Sequence, residues 1–332
     1  MNSIEINSLS KKFGNVLAVD DISLKVNEGE IFGFLGPNGA GKSTTMMILT
    51  TLLKPTSGSA LVAGYDVVSD AKQVRQNIGY VQQELSVDEY LTGRENLILQ
   101  ARLNHIPKNL VNKRIDEILN LIELTEKQDT PVITYSGGMR KRLDIAGGLL
   151  HHPKVLFLDE PTVGLDIQTR RKIWEYLRKI HEEFQMTIFV STHYMEEADS
   201  LCDRIGIIDY GKIQVIDSPQ AMKNALGNEV ITFTINDEEK KSTLISKIKE
   251  IEYVKDISIN QNGITVFSSK GTEVIPLIFQ LSSGFGIKIN SISLTQPSLD
   301  DVFISYTGRE LRDDSDNFNK RREHAKMKRL RA

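Results

Sequence analysis

Residues 36 to 44 read GPNGAGKST, and they directly follow the apolar run IFGFL at 31 to 35. Their spacing fits G-x-x-x-x-G-K-[ST], in which the glycines allow positive φ and bring successive backbone N–H groups towards an anion. A buried strand before the loop and a helix beginning near Lys42 are the context that phosphate binding needs. That context argues against the alternative, a glycine-rich turn with an incidental lysine. The stretch therefore predicts a nucleoside triphosphate site in an α/β fold.

Two loop side chains have specific expected roles: Lys42 on the β- and γ-phosphates, and the Ser43 hydroxyl on Mg²⁺. We expect ATP and Mg²⁺ as the ligands. The predicted nucleotide-binding residues of the loop are Gly36, Pro37, Asn38, Gly39, Ala40, Gly41, Lys42, Ser43 and Thr44.

Two acidic residues end a later apolar run, VLFLDE at 155 to 160. Neighbouring residues of a strand point to opposite faces, so Asp159 and Glu160 cannot have the same role. We expect Asp159 to hold Mg²⁺ and Glu160 to orient or deprotonate a water. A strand that merely ends in exposed charges is the competing interpretation, and it weakens once a phosphate loop is present in the same chain.

A histidine ends the next apolar run, TIFVSTH at 187 to 193. A single histidine is most often structural or simply exposed. After this strand, however, His193 is expected at the same sheet edge, where it would bind the γ-phosphate or the attacking water.

Composition limits the class of protein. The chain has 332 residues, 40% of them hydrophobic and 26% charged, which is enough for one large or two moderate domains. A net charge of −3 gives no field for nucleic acid, so no nucleic-acid partner is expected. Cys202 is the single cysteine, which excludes an internal disulfide. The start MNSIEINSLS lacks the features of a secretory signal, and no apolar run reaches the roughly 18 residues of a membrane span. We expect a chain that is soluble by itself and reaches a membrane only through a partner.

The order of apolar runs indicates the organisation of the first two thirds. Residues 3 to 35 alternate strand-like runs and turns, which predicts antiparallel strands, and residues 92 to 127 have helical spacing. Three buried-looking strands follow, KVLFLDE, MTIFVSTH and RIGIIDYGKIQVI, the first two each leading into a helix. This alternation predicts a parallel sheet with crossover helices.

The last third predicts a separate small domain. LGNE at 226 to 229 has the composition of a linker, and the following runs read strand, helix, strand, strand, helix, strand. A βαββαβ string is typical of a ferredoxin-like fold. A short helix in SLDDVFISYTGRELRDD is expected next, before a tail in which NKRREHAKMKRLRA has a net charge of +6 and leaves about −9 for the rest.

A second glycine-rich turn, YSGGM at 135 to 139, opens the run RKRLDIAGGLL. Taken in order, GPNGAGKST, YSGGM, VLFLDEPTVGLD and STH closely resemble the motifs of the ATPase subunit of ABC transporters, over residues 3 to about 225. YSGGM resembles that family's signature sequence, PTVGLD its D-loop and IGYVQQ the strand before its glutamine loop. Met139 stands where the signature usually has Gln.

The resemblance implies a P-loop NTPase (ABC ATPase) core at 1 to 226, with an antiparallel β subdomain and a helical subdomain at about 92 to 152. The α+β domain at 229 to 310 would be an accessory, and 311 to 332 a basic tail. That tail either contacts anionic lipid, at about 1 kcal/mol per Lys or Arg, or is a disordered, solvated end.

The resemblance also implies an ATP-sandwich homodimer, in which the signature turn of one copy closes over ATP bound to the other. The residues expected to act in trans are Ser136, Gly137, Gly138 and Asp166. Three cations at 140 to 142 stand in the first turn of the helix, where each opposes the helix dipole by roughly 0.3–1 kcal/mol. An arriving anion would relieve this repulsion, although the cations are equally well explained as solvated surface charges.

Two further positions carry over from the family. Phe13 matches the aromatic that stacks on adenine, where Tyr is commoner, and a core aromatic is the competing interpretation. Gln83 matches the loop glutamine that contacts Mg²⁺, although the adjacent Gln82 could be mistaken for it.

LTGRENL, YSGGMRKRLDIAGGLL and TQPSLDDVFISYTGRE resemble the daunorubicin-resistance type, in which a separate polytopic permease is the partner and the complex exports. The chain would then lie on the cytoplasmic side of the cell membrane as a peripheral subunit. Leu85, Val87, Tyr90 and Leu91 would receive the permease, or else form local core.

Two other function classes were weighed. A soluble ABC-type ATPase that remodels ribosomes or DNA-repair complexes usually has two cassettes, long coiled coils or zinc-binding cysteines, and none is visible here. A nucleotide-gated scaffold whose accessory domain binds a regulator would have only incidental hydrolysis. These residues do not identify the transported molecule.

Overall fold

The computed structural model describes residues 2–237, 240–260 and 263–307. The chain divides into two compact units, the first ending at Asp217 and the second beginning at Ser218. In the described residues the first unit has two sheets and the second has one, and each unit has its own core.

The first unit contains an antiparallel sheet formed largely by the amino-terminal segment. In spatial order its strands are β2 (Val16–Asn27), β1 (Asn2–Phe13), β4 (Ser57–Val62) and β5 (Tyr65–Asp66). Apolar side chains alternate with exposed ones along the second half of β2, the pattern of a sheet with one face on the core. The predicted antiparallel β subdomain is confirmed.

The second sheet of this unit carries the phosphate loop. In spatial order its strands are β10 (Lys212–Asp217), β9 (Arg204–Asp209), β3 (Ile31–Leu35), β8 (Thr187–Thr192), β7 (Val155–Asp159) and β6 (Ile78–Val81). The strands from β9 to β6 are parallel, and β10 is antiparallel to β9. Every residue of β3, β7 and β8 is buried, as expected for strands covered on both faces.

Seven helices of the first unit surround these sheets: α1 (Lys42–Leu49), α2 (Ala71–Asn77), α3 (Gly93–Leu103), α4 (Lys108–Leu121), α5 (Gly137–Leu149), α6 (Ile167–Phe184) and α7 (Met195–Leu201). Helices α3, α4 and α5 pack on one another, in the stretch that the sequence assigned to a helical subdomain. Helix α3 starts at a capping box, in which the Thr92 hydroxyl accepts from the Glu95 N–H and the Glu95 carboxylate accepts from the Thr92 N–H.

One predicted strand is wrong. RIGIIDYGKIQVI does not form a single buried strand but a hairpin, β9 and β10, which turns at Tyr210 (φ +48°) and Gly211 (φ +77°). Two consecutive residues at positive φ are the geometry of a tight two-residue hairpin, and β10 is half-exposed because it is the sheet edge.

The second unit confirms the predicted βαββαβ order: β11 (Glu229–Ile235), α9 (Lys241–Lys249), β12 (Val254–Asn260), β13 (Gly263–Ser268), α10 (Gly271–Gly284) and β14 (Ile289–Thr295). Its sheet order is β12-β13-β11-β14, with all neighbours antiparallel, as in a ferredoxin-like fold.

The boundary between the units lies before the segment that the sequence marked as a linker. The residues directly before the predicted linker form α8 (Pro219–Leu226), which ends at the first linker residue. Helix α8 packs on α11 (Leu299–Thr307) within the second unit. The remainder of the predicted closing helix and the basic tail at 311 to 332 lie outside the described residues.

Candidate functional site

The phosphate loop joins the end of β3 to the start of α1. The Gly36 N–H donates to the Thr192 carbonyl at 3.2 Å, which ties the loop to the neighbouring strand β8. Gly41 has φ +106°, and a Cβ built on it would lie 2.4 Å from the Ala18 carbonyl oxygen, so only glycine fits there. Asn38 and Gly39 form the exposed crest of the loop.

Lys42, the first residue of α1, is 4% exposed. Its Nζ donates to the carbonyls of Gly36 at 2.8 Å and Pro37 at 3.2 Å, and lies 3.1 Å from Glu160 Oε1. The ammonium group is thus held inside the curve of the loop by three acceptors. A lysine at this point of the loop is compatible with the predicted contact to the β- and γ-phosphates.

Asp159 is the last residue of β7, and it contacts two hydroxyls. Its Oδ1 accepts from Ser43 Oγ at 3.2 Å and from Ser191 Oγ. A carboxylate beside a serine hydroxyl is an oxygen donor set that suits Mg²⁺, which takes its other ligands from water and substrate phosphates. The pair of Ser43 and Asp159 therefore fits the predicted metal.

Glu160 follows Asp159 and faces different partners, as strand alternation required. It has φ +46°, and its N–H donates to both the carbonyl and the hydroxyl of Ser191 at 3.1 Å. Its Oε2 lies 3.1 Å from His193 Nδ1, without the alignment of a good hydrogen bond. The sheet edge therefore brings Lys42, Glu160 and His193 into one cluster.

The charges of this cluster favour the ionised carboxylate. Burial raises the pKa of Glu160, but the His193 ring and the Lys42 ammonium outweigh it, and the pKa lies below its usual value of 4.5. Glu160 is therefore an anion at neutral pH. His193 follows β8 and also packs on the ring of Tyr194, with the centroids 4.2 Å apart.

Phe13 ends β1 and is 46% exposed, so it is not part of a core. The Lys11 ammonium lies 5.1 Å from the centre of its ring. The competing interpretation as a core aromatic is excluded, and the open ring face is compatible with stacking.

Gln82 and Gln83 are both exposed directly after β6, at the same sheet edge. The Gln82 carbonyl accepts from Lys141 Nζ at 2.8 Å. Within the described ranges no hydrogen bond joins Gln83 to Ser43 or Asp159, so its predicted contact with the metal stays a prediction.

The residues predicted to act in trans form a second cluster. Ser136 is the N-cap of α5, and its Oγ accepts from the Met139 N–H at 3.3 Å. Asp166 is the N-cap of α6 and accepts from the N–H and the hydroxyl of Thr169.

These two helix starts lie side by side. A Cβ built on Gly138 would lie 2.5 Å from the Thr169 methyl group, and one on Gly137 would lie 3.4 Å from Leu165. The side-chain hydroxyl of Thr169 in turn lowers the pKa of the exposed Asp166.

The cations of α5 already have partners within the chain, and relief of their repulsion by an arriving anion stays a prediction. Arg140 pairs with Glu89 at 2.5 Å, and Arg142 donates to the Tyr176 hydroxyl at 2.6 Å. Lys141, only 4% exposed, donates to the Gln82 carbonyl and pairs with Asp144 at 3.5 Å. Arg140 and Arg142 are half-buried and Lys141 is buried, so the interpretation as solvated surface charges is excluded.

Ser191 was missed from sequence. It binds both Asp159 and the backbone of Glu160, and so holds the two acidic residues in place. The available signal was its position near the carboxyl end of β8, two residues before His193, which puts it at the same sheet edge.

In the part of the chain that the structure describes, no group of three or more His, Cys, Asp and Glu side chains is arranged to hold a metal ion. An ion bound mainly by substrate phosphates and water needs no such group. None of the described helices is both long enough and apolar enough to cross a bilayer.

Two family models match this chain, one within each unit. Residues 19–163 match the family model described as ABC transporter, and residues 218–307 match the model described as ATP-binding protein DrrA1-3-like, C-terminal domain.

Two curated relatives match over almost the whole chain. The daunorubicin resistance ATP-binding protein DrrA2 of Streptomyces coeruleorubidus is 36% identical over 92% of this chain and 95% of its own length. The linearmycin resistance ATP-binding protein LnrL of Bacillus subtilis is 34% identical over 93% of this chain and 100% of its own.

Among solved structures, a dimeric ATP-binding cassette in a post-hydrolysis state with ADP and Pi superposes with a TM-score of 0.58 at 28% identity. The match covers 65% of this chain and 98% of that one.

Proposed function

The chain belongs to the ABC transporter ATP-binding proteins of the daunorubicin-resistance type, and we propose that two copies of it sandwich two ATP molecules to drive a separate permease. As a member of this family it is an ATPase subunit of an ABC transporter. We propose roles for individual residues in ATP binding and hydrolysis, the chains that assemble with this subunit, and the class of transported molecule.

The observation that carries the proposal is the separation of the site into two clusters. One cluster surrounds the phosphate loop and contains Lys42, Ser43, Asp159, Glu160 and His193. The other consists of the signature turn and the start of α6, which contact each other through Gly138 and Thr169. Among the described residues, no hydrogen bond or ion pair links a member of one cluster to a member of the other. A second copy, turned head to tail, would bring the two clusters together across ATP.

Within this composite site Lys42 and the loop N–H groups bind the phosphates, and Phe13 stacks on adenine. Ser43 and Asp159 would hold Mg²⁺, which neutralises phosphate charge when it is bound. Ser136, Gly137, Gly138 and Asp166 of the second copy would close on the terminal phosphate.

Glu160 is the residue that we assign to water. It is ionised at neutral pH, and it lies at the sheet edge between the ammonium of Lys42 and the ring of His193. A carboxylate of lowered pKa is a weak base, so orienting the water contributes alongside proton transfer. His193 would bind the γ-phosphate or the same water, since its Nδ1 faces the Glu160 carboxylate.

The segment after β6 is the proposed docking site for the permease. Tyr90 is 85% exposed and Leu85 43% exposed, so neither is local core, whereas Val87 and Leu91 are half-buried. Exposed aromatic and aliphatic side chains in one short segment suit a helix of a partner protein. The permease would be a polytopic chain, and this subunit would lie at the cytoplasmic face of the membrane.

Export is proposed from the relatives. Two relatives are named for resistance to daunorubicin and to linearmycin, so a drug-like, lipid or other small molecule moving outward is the corresponding activity here.

The test is to purify the tagged chain from solubilised membranes and identify the polytopic protein that follows it. Tyr90→Asp is expected to abolish this association, and Leu103→Asp is the control, because Leu103 is 63% exposed on α3. Recovery of the wild-type chain without any polytopic protein, or equal recovery with Tyr90→Asp, would contradict the proposal.

A further inference from the structure

Glu197 is a buried acidic residue that the proposed chemistry does not use. It lies on α7 with 0% of its surface exposed. Its Oε1 accepts two hydrogen bonds of 2.9 Å, one from the Thr162 hydroxyl and one from the Trp174 indole N–H. Burying a carboxyl group costs free energy unless hydrogen bonds compensate, so the hydrogen-bond partners of Glu197 indicate its role.

The partners of Glu197 flank the reacting cluster. Thr162 follows Glu160 by two residues, and α7, which carries Glu197, begins two residues after His193. One carboxyl oxygen therefore joins the segment that carries Glu160 to the segment that carries His193. The Glu160 and His193 side chains themselves lie 3.1 Å apart, so a shift of either segment changes the distance between them.

Trp174 ties the same oxygen to the helix beyond the turn. Helix α6 is already anchored by buried apolar residues, among them Ile173, Leu177 and Ile180. The hydrogen bond from Trp174 thus adds one contact to a helix that is already held by its buried residues. The hydrogen bond from Thr162, by contrast, connects the Glu197 side chain to the turn after Glu160.

A second, half-buried contact joins the same two segments through α6. The Arg170 guanidinium lies 3.8 Å from the centre of the Tyr194 ring, and its Nε donates to the Leu165 carbonyl at 2.9 Å. The turn after Glu160 and the residues after His193 are therefore held together at two places.

Burial raises the pKa of Glu197, although donors on Thr192, Trp174 and Thr162 oppose the shift.

We propose that Glu197 is a positioning residue for ATP hydrolysis, which acts through Thr162 to hold Glu160 in register with His193. This inference rests on the proposed roles of Glu160 and His193. In this proposal Glu197 acts through Thr162 and makes no direct contact with nucleotide or with the attacking water.

Two matched variants test the inference, because each removes one hydrogen bond to the same oxygen. Thr162→Val is expected to lower kcat for ATP hydrolysis by between about tenfold and about a hundredfold, with KM for ATP unchanged, since small displacements of reacting groups have effects of this size. Trp174→Phe is expected to keep kcat within about twofold of wild type. Melting temperatures of both variants establish that each is folded at the assay temperature.

Conservative variants separate positioning from general damage. Thr162→Ser keeps the hydroxyl and is expected to retain kcat, and Glu197→Gln keeps the Oε1 acceptor and is expected to do the same. Equal kcat values for Thr162→Val and Trp174→Phe would overturn the inference. Wild-type turnover in Glu160→Gln would instead overturn the role proposed for Glu160, and this inference with it.

Discussion

Lys42 and Glu160 form an ion pair, with Nζ and Oε1 3.1 Å apart and only 4% and 7% of the side chains exposed. The pair joins the phosphate loop to the end of β7, two elements separated by more than a hundred residues of sequence. Removing one partner of such a pair leaves a buried charge without compensation. The cation expected on the phosphates and the carboxylate expected on the water are thus in direct contact.

The first prediction concerns Lys42. Lys42→Ala removes the ammonium that the loop carbonyls hold, and the loss of a close charge contact to phosphate is worth about 2–5 kcal/mol. ATP affinity is expected to fall by at least about thirtyfold in equilibrium binding. Lys72→Ala, which removes an exposed lysine from α2, is the control and is expected to bind normally. Undiminished affinity in Lys42→Ala would overturn the assignment of the loop.

The second prediction concerns Phe13. Stacking of a base on an aromatic ring contributes about 1–3 kcal/mol, so Phe13→Ala is expected to weaken ATP binding by about fivefold to about a hundredfold. Phe13→Tyr keeps the stacking face and is expected to bind as wild type. Tyr65→Ala removes another exposed aromatic of the same sheet, from β5, and serves as the control. Titration with a fluorescent ATP analogue measures all four proteins, and equal affinities in Phe13→Ala and Tyr65→Ala would place adenine elsewhere.

The third prediction concerns the raised pKa of Glu197. At a pH between the usual pKa of 4.5 and the raised pKa of the folded state, the unfolded chain has released this proton while the folded chain keeps it. The unfolded state then binds fewer protons, so the free energy of unfolding falls as pH rises from 4.5 to the raised folded pKa. Glu197→Gln removes this dependence, and its stability relative to wild type is expected to grow across that window, by at most about 1.4 kcal/mol per pH unit.

Urea unfolding followed by circular dichroism at several pH values measures this difference. Glu196→Gln, on the exposed side of the same helix, reports the effect of removing a carboxylate that is not buried. A stability difference between Glu197→Gln and wild type that is the same at every pH would show that burial does not hold the proton.

The sequence predicted what depends on local pattern. The phosphate loop, the acidic residues that end β7 and the histidine after β8 each follow an apolar strand, and parallel strands bring their carboxyl ends to one edge. The ferredoxin-like order of the second unit followed from the same alternation of runs.

What the sequence could not predict depends on partners distant in the chain. Arg140 read as an unbalanced cation because its partner Glu89 lies more than fifty residues before it. Glu197 gave no signal, since its bonds to Thr162 and Trp174 exist only after folding. The hairpin at Tyr210 was missed because the turn has an aromatic residue where Asn is usual.

The composite site formed by two copies is tested most directly by the mass of Glu160→Gln in solution. This variant keeps the phosphate loop but lacks the carboxylate assigned to water, so bound ATP is expected to persist between the two copies. Light scattering after size exclusion, with saturating ATP and Mg²⁺, is expected to give the mass of two chains. Without nucleotide the same variant is expected to give the mass of one chain. The double variant Ser136→Arg with Glu160→Gln is expected to give the mass of one chain even with ATP. A single-chain mass for Glu160→Gln in saturating ATP, with nucleotide bound, would contradict the account.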